Sequence, residues 1–495
     1  MSDGKLEMLG SRTAFTIALG FVNSLMVLHA SAQAAVLTHG PILLARNAMN
    51  RCDFLEQSLR LTAAVSAASG SVWPGASHAQ KARQGRPGGK SAAGPLRVHP
   101  DNPRYFTDDS GKAIYLAGHQ WFNDLQHNAW NFPVKVGWDR YLDFMNERKM
   151  NYLRNWIVWS VGDPTAGRPA PVMPFKRTGP GKALDGKPKF DLRQFDPAFF
   201  ERLRAQIGAA EKRGVYISIM LFDVYGFMDR DGTYPNSLWA GNVFHGPNNT
   251  NGIDTDENGD GHGLEFFFTS SPQVLDIQRA YVKKVIDTVN EFDNVFFEIA
   301  NELEAKQWQH EMIRLVKEYE ATKPKQHLVY MSPGGRDRVG QWSQLPKEDV
   351  LASPADLYSV TRGWNKDYRG DPPDEPGNKP VFMDMDHVAV QHDGDNEWNN
   401  SPSTPWKLLT RGYHQCMYDH DYWKPTTNRA SWEATRHSIG RTVEYANRMD
   451  LVHMHPRGDL ASTRYCLANP GREYLVYLPR SGQVTVEVEV KKRSR

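Results

Sequence analysis

Between residues 113 and 448, short apolar runs alternate with segments of helical period, and this alternation is the tightest constraint the chain places on its fold. Residues 113–119, ending at His119, read as a first strand and 138–149 as a helix; 151–158 form a second strand. Asp196 is placed to cap a helix through Arg213, with Phe199, Phe200, Leu203, Ile207 and Ala210 on one face, and Gly214 stops it. Residues 215–222 follow as a buried third strand. Ser271 is placed to cap the next helix, where Val274, Ile277, Tyr281, Val285 and Val289 keep the period. Strand four spans 294–302, and an amphipathic helix runs from Gln307 to about Thr322. Residues 327–331, 357–361, 380–384 and 413–418 supply strands five to eight, and 431–448 a last helix.

Eight mostly apolar strands, each followed by helix or loop, predict an α/β fold: a parallel (β/α)8 TIM barrel over residues 95–450. A doubly wound open sheet is the competing arrangement, but no glycine-rich phosphate loop follows any strand. After Asp450 the texture changes. Residues 465–479 and 483–490 alternate as strands, with Pro-Gly and Ser-Gly turns, so 451–495 are expected to form a small antiparallel β module. So short a segment does not fold alone and is expected to pack on the barrel.

Charge is uneven. Residues 1–93 hold nine Lys/Arg against four Asp/Glu, a balance of +5, which leaves −3 for the rest of a chain whose total is +2. The basic excess belongs to a leader, and nothing suggests a nucleic-acid binder. Arg12, the apolar run 14–28 and Ala30-Ser-Ala-Gln-Ala34 fit a secretory signal with a cleavage site; the run is too short to span a bilayer stably. A second start at Met49 resembles a twin-arginine signal, with a cleavage site after Ala79, but Cys52 stands where the second arginine belongs and Arg60 interrupts the apolar stretch. Residues 1–94 therefore read as export signal and disordered linker, and the mature protein as periplasmic or extracellular without a membrane span. Beyond the leader only Cys416 and Cys466 remain. They permit one disulfide, although Cys416 lies in a strand and suits a buried thiol.

Strand four runs Asn294-Val-Phe-Phe-Glu-Ile-Ala-Asn301-Glu302. Its end has two readings: Asn301 caps the next helix with Glu302 in the first turn, or Glu302 is an exposed acid on the C-terminal rim, where barrels do their chemistry. Glycoside cleavage needs two carboxyls flanking one bond, one giving a proton and the other acting as nucleophile or base. Strand seven runs Lys379-Pro-Val-Phe-Met-Asp384-Met-Asp386-His387 and also terminates in acids on one face. Two strands ending in carboxylate favour the catalytic reading.

Residues 294–302, the pair Arg154-Asn155 and Lys379-Pro-Val resemble the retaining, clan A-type (β/α)8 glycoside hydrolases, the cellulase-like superfamily in the broad sense. The opening stretch 103–119 resembles less characterised bacterial branches, which often carry Asp-x-Asp-His on strand seven and a short C-terminal β domain. The resemblance covers roughly residues 95–490. It implies a poly- or oligosaccharide substrate, no catalytic cofactor, Glu302 as proton donor and a strand-seven nucleophile. The clan's usual nucleophile is glutamate; here Asp386, nearer the rim, is favoured, with Asp384 in support. It also implies sugar contacts from Asn155 and Asn301, which resembles the clan's asparagine on the sugar 2-hydroxyl; His119 is either a sugar contact or a buried structural histidine, and His387 either binds sugar or orients an acid. Arg154 would hold the nucleophile ionised or, equally, neutralise inward-facing Glu298. Trp121, Trp156, Trp364 and Trp398 lie near strand ends, where one or two could stack on sugar rings. Two other classes stay open: a non-catalytic carbohydrate-binding barrel, and a metal-dependent hydrolase in which Asp384, Asp386 and His387 ligate an ion with His119.

One further motif lies after strand three. Asp254, Asp256, Asn258, Asp260 and Glu265, with Gly259 at the turn, follow calcium-loop spacing; Gly261 stands at the usual apolar position and no clear helix precedes, so the segment reads either as a structural Ca2+ site that ties down a cleft-wall loop or as a solvated polar loop.

Overall fold

The computed structural model describes residues 92–121, 137–157, 159–161, 172–228, 238–360, 364, 371–385, 401–418, 430–480 and 482–489, and strand backbone at 12–19, 24–29, 35–37 and 42–45. The chain divides into two compact units, residues 89–452 and residues 1–88 with 453–495.

In the larger unit eight strands close a parallel barrel: β1 Ala117–Trp121, β2 Tyr152–Asn155, β3 Tyr216–Asp223, β4 Val295–Asn301, β5 Val329–Met331, β6 Leu357–Ser359, β7 Val381–Met385 and β8 His414–Tyr418. Each pairs in parallel with the next and β8 returns to β1. Helices α1 Trp138–Glu147, α2 Pro197–Glu211, α3 Pro272–Val289, α4 Lys306–Glu320, α5 Lys347–Leu351, α6 Thr404–Thr410 and α7 Ala430–Ala446 alternate with them. The eight-strand expectation holds, strand for strand. Asp196 caps α2 through a bond from Ala198 N at 3.0 Å, whereas Ser271 sits at the start of α3 without a side-chain cap.

The barrel floor is apolar. Leu116, Tyr152, Phe296, Tyr330, Leu357, Phe382 and Cys416 form one buried cluster with Phe106, of the strand pair Arg97–Val98 and Phe106–Thr107, and with Leu96, which immediately precedes that pair. Phe106 lies 6.3 Å from the Phe296 ring and 6.2 Å from that of Phe382, so this hairpin plugs the barrel's N-terminal end. Burying each such ring contributes about 1.5–3 kcal/mol. Two antiparallel hairpins had no strand signal in the sequence: Phe175–Lys182 with Pro188–Phe195, and Gly334–Arg336 with Trp342–Gln344.

In the smaller unit Leu460, Cys466, Tyr474, Val476, Val484 and Val486 share one buried cluster, and its strands pair antiparallel except Ser24–His29 with Ile42–Ala45, which are parallel. Cys466–Asn469 pairs with Glu473–Leu478. Backbone from the stretch read as a leader joins it: Arg12–Leu19 lies along Gly482–Glu489 and Ser24–His29 along Glu473–Leu478. An apolar run of that length suits a strand as well as a signal core, and the module so drawn is larger than residues 451–495. Cys416 and Cys466 are both buried free thiols.

Candidate active site

Three strands converge on one buried guanidinium. Arg154 of β2 donates from Nε to Glu298 Oε2 at 2.9 Å and Oε1 at 3.2 Å, and from Nη1 to Gln120 Oε1 of β1 at 2.9 Å. Its Nη2 donates to Glu298 Oε1 and, at 2.7 Å, to Asn301 Oδ1. Arg154 and Glu298 are both wholly buried, so each charge depends on the other. Of the two readings for Arg154, the structure supports neutralisation of Glu298. Positions 298 and 301 differ in parity along β4, yet both side chains reach Arg154, Asn301 from the last position of the strand.

Asn301 continues the chain of contacts, with Nδ2 donating to Asp223 Oδ1 at 3.4 Å. Asp223 closes β3 in register with Asn301. Its carboxyl is fully buried and Oδ2 has no partner. Burial, with the nearby negative charge of Glu302 adding to it, pushes its pKa up to about 8. At neutral pH this acid therefore holds its proton and does not repel Glu302. The consequence for stability is signed. An unfolded Asp223 ionises near pH 4, whereas the folded one keeps its proton to about pH 8, so stability falls as pH rises through that window. Asp223→Asn is expected to flatten this slope and raise the melting temperature at pH 7.5 while changing it little at pH 4; melts across that range would show it.

Glu302 stands just past β4. Three residues separate it from Lys306, where α4 begins, and α4 carries no side-chain cap. The capping reading of Asn301-Glu302 therefore fails: Asn301 is spent on Arg154 and Asp223, and Glu302 lies ahead of the first turn. Glu302 has φ +49°, in the left-handed region that a non-glycine residue enters at a cost of about 1–2 kcal/mol. The hairpin at Gly334–Arg336 holds it there. Arg336 N donates to the Glu302 carbonyl at 2.7 Å, and Glu304 N donates to the Arg336 carbonyl at 3.0 Å. Gly335 lies so close that a Cβ there would land inside the Glu302 carbonyl and against Leu303 N. Gly335→Ala is thus expected to lower stability by roughly 1–3 kcal/mol and to displace Glu302, read by a melt and a rate measured together.

The other expected residues fare unequally. Of the two readings for His119, the fold fits the buried structural one. It is fully buried, its Nδ1 lies 2.6 Å from Tyr141 Oη, and its ring meets Tyr141 and Phe144 of α1. Its neighbour Gln120 is the β1 residue that reaches Arg154, so His119 turns away from the barrel interior. Asn155 is buried with neither end of its amide bonded. Trp156 lies under Arg154, whose Cζ is 5.3 Å from its ring centroid. Half-buried Trp364 donates from Nε1 to Leu345 O at 2.9 Å, beneath Lys347. Asp384 lies on β7 in register with Cys416. The Asp384 and Trp121 side chains, and Asp386, His387 and Trp398, fall outside the described residues.

Of the calcium residues, Asp256, Asn258, Asp260 and Glu265 share one loop, whereas Asp254 Oδ2 is turned to Gly246 N at 3.0 Å. Among the described residues, no group of three or more His, Cys, Asp or Glu side chains stands ready to hold a metal. Sequence reasoning missed Gln120, Asp223 and Gly335. Asp223 had a signal: like Glu302, it ends an apolar strand in a carboxylate.

Residues 163–338 match the domain of unknown function DUF6298. No curated protein matches the chain. Among solved structures it is similar to a candidate glycoside hydrolase from Bacteroides vulgatus ATCC 8482, at 18% identity and TM-score 0.43 over 66% of this chain and 55% of that one. The chain thus spans little more than half of that protein's length. It is also similar to a glycoside hydrolase family 5 mannosidase from Rhizomucor miehei (16%, TM-score 0.42, 72% and 99%) and a family 5 glycoside hydrolase from Bacteroides vulgatus (12%, TM-score 0.43, 81% and 94%). At these identities and TM-scores none of them assigns a role to a residue of this chain.

Proposed function

We propose that this chain is an exported glycoside hydrolase acting on a poly- or oligosaccharide, with Glu302 as acid/base and an aspartate of β7, Asp386 or Asp384, as nucleophile or base. One observation carries this reading: Glu302 stands at the strand rim in a left-handed backbone clamped by a second hairpin, with no capping role to account for it. Strain of that kind persists where the surroundings enforce it, and it gathers at working sites.

In this reading Glu302 protonates the leaving glycosidic oxygen as the bond to the anomeric carbon breaks. The β7 carboxylate attacks that carbon to form a glycosyl ester; water, giving a proton to Glu302, then attacks the same carbon, breaks the ester bond and releases the carboxylate and the sugar. Asn301 is held through Oδ1 by Arg154, and one N–H of its amide remains beyond the bond to Asp223 for a sugar hydroxyl. Neutral Asp223 lets Glu302 cycle between its two charge states without a second negative charge beside it. The leader-like run 14–28 supports export.

The test is hydrolysis of a panel of aryl glycosides and polysaccharides by the wild-type chain and by Glu302→Gln. Turnover by wild type that Glu302→Gln abolishes is the expected result. Sugar affinity with no hydrolysis across the panel would instead favour a binding barrel, and unchanged turnover in Glu302→Gln would sink the assignment.

A further inference from the structure

Asp223 is a further carboxyl of this site, and the cleavage steps give it no contact with substrate. Its direction follows from β3. Phe222, the residue before it, packs outside the barrel against Tyr281 of α3 at 5.6 Å and Trp308 of α4 at 5.1 Å. Successive side chains of a strand take opposite faces, so Asp223 turns inward to the barrel mouth. There it lies in register with Asn301, the residue before Glu302.

The two oxygens of Asp223 differ. Oδ1 accepts from Asn301 Nδ2 at 3.4 Å, and the backbone N–H of Tyr225 also bonds the carboxyl. Oδ2 is buried without a partner. An oxygen that already accepts N–H groups is the carbonyl end of a neutral acid, so the proton belongs on Oδ2. Burial, reinforced by Glu302, keeps that proton in place to about pH 8. Among the described residues the charged groups facing Asp223 are Glu302 beyond β4 and Arg154 of β2, the latter already paired with Glu298 of β4. A carboxylic acid held neutral by its surroundings donates a hydrogen bond at pH 7. Oδ2 has no acceptor for it among the described residues, and a buried donor left unpaired is costly. An oxygen brought by a ligand would relieve that cost.

We propose that Asp223 is a substrate-binding residue whose Oδ2 donates a hydrogen bond to a hydroxyl oxygen of the sugar unit held beside Glu302. Such a contact presupposes the saccharide reading of Glu302 and adds to it a second donor, from the strand next to Asn301. Neither donor carries a charge, which suits a neutral hydroxyl. A site of this kind discriminates against a sugar that lacks the hydroxyl, because the buried donor is then left unpaired.

Binding of cellohexaose, mannohexaose and xylohexaose to the full chain carrying Glu302→Gln, followed by calorimetry between about pH 6 and pH 9, tests this. At least one of the three should bind. At the acid end, adding Asp223→Ala should weaken binding by roughly threefold to tenfold. Adding Asp223→Asn, which keeps a donor of the same shape, should change it by less than about twofold. Asp223 loses its donor as it ionises, so affinity in the Glu302→Gln chain should fall as pH rises, approaching about tenfold per pH unit. Glu302→Gln removes the smaller upward push, so the fall begins at or below about pH 8; with Asp223→Asn the profile should stay flat. Unchanged affinity in Asp223→Ala, or a fall with pH that Asp223→Asn shares, would overturn the contact. Equal losses from Ala and Asn would reduce Asp223 to a structural role. If Asp223→Ala does not fold, the Asn variant and the pH series decide. Binding of none of the three sugars would overturn the site as drawn, and wild-type turnover of the glycoside panel then tells separately whether the hydrolase reading stands.

Discussion

Glu302→Gln leaves the fold intact and lowers glycoside turnover by about 10²–10⁴-fold, the usual contribution of a positioned proton donor. Glutamine keeps the volume and the backbone but cannot give a proton, so circular dichroism and melting should match wild type while the rate collapses. Glu302→Gly separates function from structure more sharply. Glycine enters the left-handed region without penalty, so this variant should melt higher, by about 1 kcal/mol, and be inactive. Opposite movements of stability and activity mark strain kept for function. A Glu302 that were merely structural would lose both together, and that outcome would end the catalytic assignment.

Arg154→Met carries the largest stability cost, about 3–5 kcal/mol, because it removes the guanidinium paired with the wholly buried Glu298. It also removes the Arg154 donor from Gln120 Oε1 and Asn301 Oδ1. Arg154→Lys recovers little, since one ammonium cannot reproduce the fork that reaches three side chains. The double variant Arg154→Met/Glu298→Leu should regain most of the stability by removing both charges, without regaining activity, because Asn301 remains unheld. Urea unfolding of the two singles and the double measures this directly; additive losses would mean the pair is not coupled.

The barrel was legible because every strand is an apolar run and the helices between them keep a clear period. The rim was less so. His119 kept two readings, sugar contact or buried residue, because parity along a strand decides which face a side chain takes and the expected strand, 113–119, is offset from the real one, which begins at Ala117. Asn301-Glu302 looked like a cap because the start of α4 carries no capping residue to compete with it, and only the fold shows the helix beginning at Lys306. The hairpin behind Glu302 left no strand pattern, since its short strands follow Ser-Pro and contain Gly-Gly. Its purpose lies in a contact more than thirty residues back along the chain, which periodicity cannot reveal. Residues 254–265 show calcium-loop spacing, but in the fold Asp254 and Asp256 both spend their oxygens on backbone N–H groups, which spacing alone does not reveal.

The Gly334–Gln344 hairpin also bears on redesign. The rim loops of a barrel are commonly exchanged to alter what it accepts, and most treat the catalytic frame as fixed. Here one of those loops is part of the frame. A graft replacing residues 334–344 would remove the Arg336 amide and the bare Gly335 backbone that set the acid's posture, so it would fail however well the new loop matched its sugar. Variation of substrate preference in this scaffold has to come from the other rim segments.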